Sequence, residues 1–176
     1  MMVGQREGMQ NSDTLMTFAE LALALVGFGG IVVALGQRSQ SLTPARVFSA
    51  TALITLGIGA MAVAVLPIVL VELGASTATA LRSSSAVMAV HAIAWFTYLI
   101  PTSRRFDASR EVPRRAFGLH GRNPALLGAS GLNVVAQLAS ASGLSDRPFG
   151  VLIAGLSWYL VGGLVAFLMF LVDPAE

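Results

Sequence analysis

Residues 14–36 read TLMTFAELALALVGFGGIVVALG, and this run of 23 residues contains one charged side chain, Glu20. A helix needs about 20 mainly apolar residues to cross the roughly 30 Å hydrocarbon core of a bilayer. The stretch therefore predicts a transmembrane helix. It is too long for the apolar part of a secretory signal peptide, which has about 7–15 residues behind a basic segment.

Four further apolar stretches follow, and two of them begin with a proline that has a capping side chain before it, at Thr43-Pro44 and Asn123-Pro124. The sequence thus predicts an all-α, polytopic membrane helix bundle of five transmembrane helices, with residues 1–176 forming one transmembrane domain. The five spans cover about 14–36, 44–73, 83–101, 124–143 and 149–172. The fourth contains Asn133 and Gln137, so its alternatives are a helix in the interior of the bundle with little lipid contact and a re-entrant segment.

The composition supports a membrane protein, since 55% of the residues are hydrophobic, 11% are charged and the mean hydropathy is +0.75. Soluble domains carry about 25% charged residues. The chain has no cysteine and two histidines, which removes thiolate sites and leaves few ligands for a metal; we expect no metal and no other cofactor. The arginines lie between apolar spans, which argues against nucleic acid as a partner.

The arginines also predict an orientation. Eight of the eleven basic residues lie in or beside the segments after the first and third spans, and three lie on the other side. The positive-inside rule then puts the N-terminus outside and the C-terminus inside a bacterial inner membrane. The basic cytoplasmic loop 102–123 is expected to contact anionic lipid headgroups. The candidate headgroup ligands are Arg104, Arg105, Arg114 and Arg115.

Small residues recur at helical spacing in several spans. In lipid, helices associate largely by van der Waals packing, and small side chains let two backbones approach closely. The pattern predicts a tight bundle and, more weakly, a homo-oligomer. The predicted helix-packing residues are Gly27, Gly30, Ala34, Gly57, Gly162 and Ala166.

Polar side chains inside the spans are the candidate functional residues. Glu20 lies about 9 Å into the first span by helix rise, and a carboxyl group in hydrocarbon is costly unless it is neutralised, paired or hydrated. His91, Gln137 and Tyr159 fall at comparable depths, about 9–15 Å from the outer face. We expect these four residues to form one pore-lining or proton-binding layer. For His91, an ordinary interior hydrogen bond is the alternative.

One catalytic pattern is present, and it lacks its partner. Gly128-Ala129-Ser130-Gly131 is similar to the GxSG sequence that carries the nucleophile of rhomboid intramembrane proteases. The base of that family is a histidine on a later transmembrane helix, and no histidine follows His120 here. His91 differs from Ser130 by about 9 Å in depth, beyond hydrogen-bond reach. We therefore expect no catalytic residue and no enzyme.

Together these features predict a small homo-oligomeric channel or pore for protons or small ions, with Glu20 near its mouth. A small proton-coupled transporter is the second hypothesis. Small multidrug transporters also place a glutamate after an alanine in their first helix, as Ala19-Glu20 does here, although they are shorter and have four spans. A non-conducting subunit that docks another membrane protein is the third.

Overall fold

The fold is described by a computed structural model that covers residues 2–37, 44–109 and 124–172, with side chains placed for 11–34, 46–98 and 127–171. These residues form five α-helices and no other regular secondary structure. The prediction of an all-α fold is confirmed for this part of the chain. The helices are α1 (Met2–Gln37), α2 (Pro44–Glu72), α3 (Thr77–Ser109), α4 (Pro124–Ala141) and α5 (Pro148–Val172).

Three of these helices are long and apolar enough to cross a membrane. They provide the segments Asn11–Ala34 of α1, Arg46–Glu72 of α2 and Pro148–Leu171 of α5. α4, at 18 residues, is the shortest of the five helices, and α3 has a lower apolar content, with Arg82 and three serines in its first third. The chain therefore has the helices of a membrane protein, with three clear candidates for a span.

Local chemistry sets the helix starts. α2, α4 and α5 begin at Pro44, Pro124 and Pro148, where the missing proline N–H costs nothing because the first turn has no acceptor for it. α3 has a side-chain cap instead, since the Ser76 hydroxyl accepts a hydrogen bond from the Thr79 N–H at 3.2 Å. The sequence prediction placed the third span from residue 83 and missed this cap.

Two tight turns join the helices at one end of the bundle, and each is closed by a glycine with positive φ. Gly74 (φ 93°) and Gly143 (φ 81°) adopt the left-handed conformation that ends many helices. Each donates its N–H to the carbonyl three residues back, and the next residue donates to the carbonyl five residues back. The Arg82 guanidinium packs against Gly143, so the α2–α3 and α4–α5 turns lie side by side.

The third helix is longer than predicted. The sequence predicts that the third span ends at residue 101 and that 102–123 is a loop, but α3 continues through Pro101 to Ser109. A proline removes one backbone hydrogen bond, which a long helix tolerates when the residues around it favour the helix. Within the predicted basic loop, residues 102–109 belong to α3 and residues 110–123 lie outside the described residues.

α2 and α5 form the centre of the bundle. α2 packs against α1, α3 and α5, and α5 packs against all four other helices. Among the described residues, α1 contacts α2 and α5 and does not reach α3 or α4. The first helix therefore lies on one side of the central pair, and α3 with α4 lies on the other.

Small residues mediate this packing, although only part of the predicted set does so. A Cβ on Gly57 would meet the Val26 side chain of α1, and one on Gly162 would lie 3.1 Å from Leu56 Cδ1 of α2. Ala166 is buried beside Leu53. By contrast, Gly27, Gly30 and Ala34 are exposed, and a Cβ on either glycine would meet nothing. Gly29, which the sequence analysis did not select, packs against Leu53 instead.

Candidate functional site: a polar seam and an apolar cavity

The centre of the site is a hydrogen-bonded pair between α3 and α5. His91 Nδ1 lies 2.8 Å from the Tyr159 hydroxyl oxygen, and the Tyr159 hydroxyl donates to the Met88 carbonyl at 3.2 Å. The hydroxyl has one proton, so when it donates to that carbonyl the His91 Nδ1–H is the donor to the tyrosine oxygen. Tyr159 is buried, and Gly59 of α2 leaves the space that the His91 ring occupies.

Gln137 lies on the same side of α5, toward the α4–α5 turn. Its side chain is 0% exposed, and its Nε2 donates to the Val151 carbonyl at 2.8 Å and to Asn133 Oδ1 at 3.4 Å. A Cβ on Gly155 would collide with this amide, so the glycine makes the room for it. The Gln137 Oε1 is buried without a hydrogen-bond partner.

A pair of hydroxyl groups joins α3 to α4. The Ser85 hydroxyl donates to Ser140 Oγ at 3.1 Å, and both side chains are buried. We call these three hydrogen-bonded pairs together the polar seam; its members are Ser85 and Ser140, Gln137 and Asn133, and Tyr159 and His91. Such interhelical bonds hold helices together in lipid, at about 0.6 kcal/mol each on average. The seam contains three of the four predicted pore residues.

Glu20 lies apart from the seam within one chain. It is exposed on α1, and α1 contacts neither α3 nor α4 in the described part of the structure. On α2, Gly57 meets Val26 of α1 and Gly59 meets His91 of α3. Glu20 faces out of the bundle, and the single layer of four residues stays a prediction.

An apolar cavity of about 180 Å³ adjoins the seam, in the half of the bundle that holds the start of α2 and the end of α5. Four helices contribute to its wall. Aromatic side chains dominate it, among them Phe48, Trp95, Phe96 and Trp158. Its polar groups come from Ser130, Asn133 and Tyr159.

Ser130, the serine of the GxSG sequence, lines this cavity and is hydrogen-bonded to a tryptophan. The Ser130 hydroxyl oxygen accepts a hydrogen bond from Trp158 Nε1 at 3.1 Å, while His91 bonds to Tyr159. No group of three or more His, Asp or Glu residues that would hold a metal ion occurs in the described ranges.

Of the four predicted headgroup arginines, Arg114 and Arg115 lie outside the described residues. Arg104 and Arg105 belong to α3, but their side chains are not among those placed.

Sequence reasoning missed the glycines that shape the site. Gly59 and Gly155 make room for His91 and Gln137, and neither belongs to the small-residue patterns that were singled out. A glycine on one span at the depth of a large polar residue on another span is the sequence signal for such a contact. The signal can be used only when the neighbouring helices are known.

Comparison of this chain with models of protein families, with curated proteins and with solved structures gives no match.

Proposed function

We propose that the protein is a small homo-oligomeric membrane channel that conducts protons or small ions, with Glu20 facing a path formed between copies. The observation that carries this proposal is the position of Glu20, which is exposed near the middle of a candidate span and points away from the chain's own helices. A carboxyl group facing lipid at that depth costs about 3 kcal/mol on insertion scales. A neighbouring copy or a hydrated path removes that cost.

The residues in line with Glu20 suit such an assembly. Asp13, Glu20, Gly27 and Ala34 are all exposed and recur every seven residues along α1. A seven-residue repeat keeps one stripe of a helix against its neighbour in a left-handed supercoil. The two small residues permit close approach of α1 helices, and the two acidic residues occupy the part of the stripe where the path would widen.

We further propose the finer topology that the sequence predicts. All five helices cross a bacterial inner membrane, with the N-terminus outside, the C-terminus inside and the basic segment after α3 near anionic headgroups. The length of α4 supports this, since 18 residues rise about 27 Å, close to the hydrocarbon thickness. The neighbouring positions of the α2–α3 and α4–α5 turns support it as well.

Flux through liposomes containing the purified protein tests the function. We expect the wild type to pass protons or monovalent cations and Glu20→Gln to fall to the level of protein-free liposomes, because the amide cannot carry the charge. Glu72→Gln is the matched control, since Glu72 is an exposed glutamate at the end of α2, and it should conduct like the wild type.

Each other outcome contradicts the channel or the role of Glu20 in it. Saturable, substrate-dependent proton flux would select the transporter. Absence of flux in a folded wild-type protein would select the docking subunit. Equal flux in the wild type and Glu20→Gln would remove Glu20 from the path.

A further inference from the structure

We infer that the cavity between α2, α3, α4 and α5 is a binding site for a lipid-soluble molecule with a single planar ring and a carbonyl oxygen. This site lies inside one chain, on the opposite side of the central helices from Glu20. The inference is therefore separate from the proposed channel, and neither depends on the other.

The size of the cavity fits one ring. An apolar protein cavity of about 150 Å³ stays dry and binds benzene. The cavity described above has about 180 Å³, so it accepts a six-membered ring with small substituents.

The walls of the cavity fit a flat molecule. Trp95 and Trp158 contribute from α3 and α5, and Phe48 stacks on Trp95 with ring centroids 6.3 Å apart and an interplanar angle of 26°. Aromatic faces pack best against another planar ring, in offset or tilted contact. A ring that enters this space gains aromatic contacts that a flexible acyl chain does not match.

Two hydrogen-bond donors in the wall are unused among the described residues. The Ser130 hydroxyl accepts from Trp158 and donates to no described group, and Asn133 uses only its Oδ1, leaving its Nδ2 protons. Both side chains lie on α4 and face the cavity, three residues apart on one helix face. A ligand that satisfies them must supply an acceptor, which is why we assign it a carbonyl oxygen.

The route of entry is the bilayer. The lining residues of α2 and α5 lie inside candidate spans. The wall also includes Val161, which is 53% exposed on the outside of the bundle. A molecule dissolved in the hydrocarbon therefore reaches the cavity sideways, between helices.

Intrinsic fluorescence provides a direct test, because the chain has two tryptophans and both line the cavity. The probe is tetramethyl-p-benzoquinone, added to the full-length protein in nanodiscs. We expect quenching that saturates with probe concentration. Tetramethylbenzene, which has a planar six-membered ring with four methyl groups and no oxygen, should compete at least about tenfold more weakly.

Two variants locate the site. Ala166→Phe fills the cavity and should weaken binding at least about tenfold, while the same substitution at Ala154, exposed on α5, should leave binding unchanged. Asn133→Leu removes a donor and retains the volume. It should weaken quinone binding without changing the affinity for tetramethylbenzene, and it remains informative if Ala166→Phe does not fold.

Two results would overturn the inference. Quenching that rises linearly with probe and is equal in Ala166→Phe would mean collision from the bilayer. Equal competition by tetramethylbenzene would mean that the donors in the wall do not recognise a carbonyl group.

Discussion

At the scale of single residues, Gly59 determines where the His91 ring can lie. A Cβ at this position would be 2.6 Å from His91 Cε1 and 2.9 Å from Nε2, closer than non-bonded atoms approach. The ring would have to turn, and its 2.8 Å hydrogen bond to Tyr159 would break. The absence of a side chain at Gly59 of α2 therefore permits the contact between His91 of α3 and Tyr159 of α5.

We accordingly predict that Gly59→Ala destabilises the protein by about 1–3 kcal/mol through overpacking. Gly131→Ala is the control, because a Cβ there meets nothing and alanine favours a helix by up to about 1 kcal/mol. Unfolding in mixed detergent micelles measures both changes. Equal stability of the two variants would show that the His91 ring is not held in this position.

The identity of the polar residues could be read from the sequence, but their direction could not. Helix rise predicts one level for Glu20 and His91, and the structure adds that the two residues face opposite sides of the central helices. Direction is normally read from an apolar stripe. In spans that are apolar on every face, no such stripe separates the bundle side from the lipid side.

At the scale of helices, the starts were easier to predict than the ends. The prolines of α2 and α4 mark their first residues, as predicted. Pro101 was wrongly taken as the end of a helix, because its effect depends on whether the following residues continue the helix. Length and apolar content identify α1, α2 and α5 as candidate spans, but they do not do so for α3 and α4.

Cysteine labelling tests whether α4 crosses. The chain has no native cysteine, so Ser76→Cys in the α2–α3 turn and Ser145→Cys in the α4–α5 turn each carry one reactive thiol. Because these turns lie side by side, we expect an impermeant maleimide to label both from the outer face in intact cells. Labelling of Ser76→Cys alone would indicate that α4 does not bring its C-terminal end to that face.

At the scale of the whole molecule, the α2–α5 pair has two different sides. One side holds the polar seam and the cavity, and the other presents the α1 stripe that contains Glu20 and Gly27. Composition and hydropathy predict a membrane bundle. They do not predict this division, because it depends on helix neighbours that sequence spacing does not encode.

Disulfide cross-linking along α1 in native membranes tests the central claim, that copies meet through the stripe that contains Glu20. In the cysteine-free chain, we expect Ala24→Cys, Gly27→Cys and Ile31→Cys to form dimers on oxidation. The buried Ala19→Cys and Ala22→Cys should stay monomeric. Absence of cross-linking, or equal cross-linking on both faces of α1, would contradict a homo-oligomer that is assembled through this stripe. Glu20 would then not face an ion path between copies.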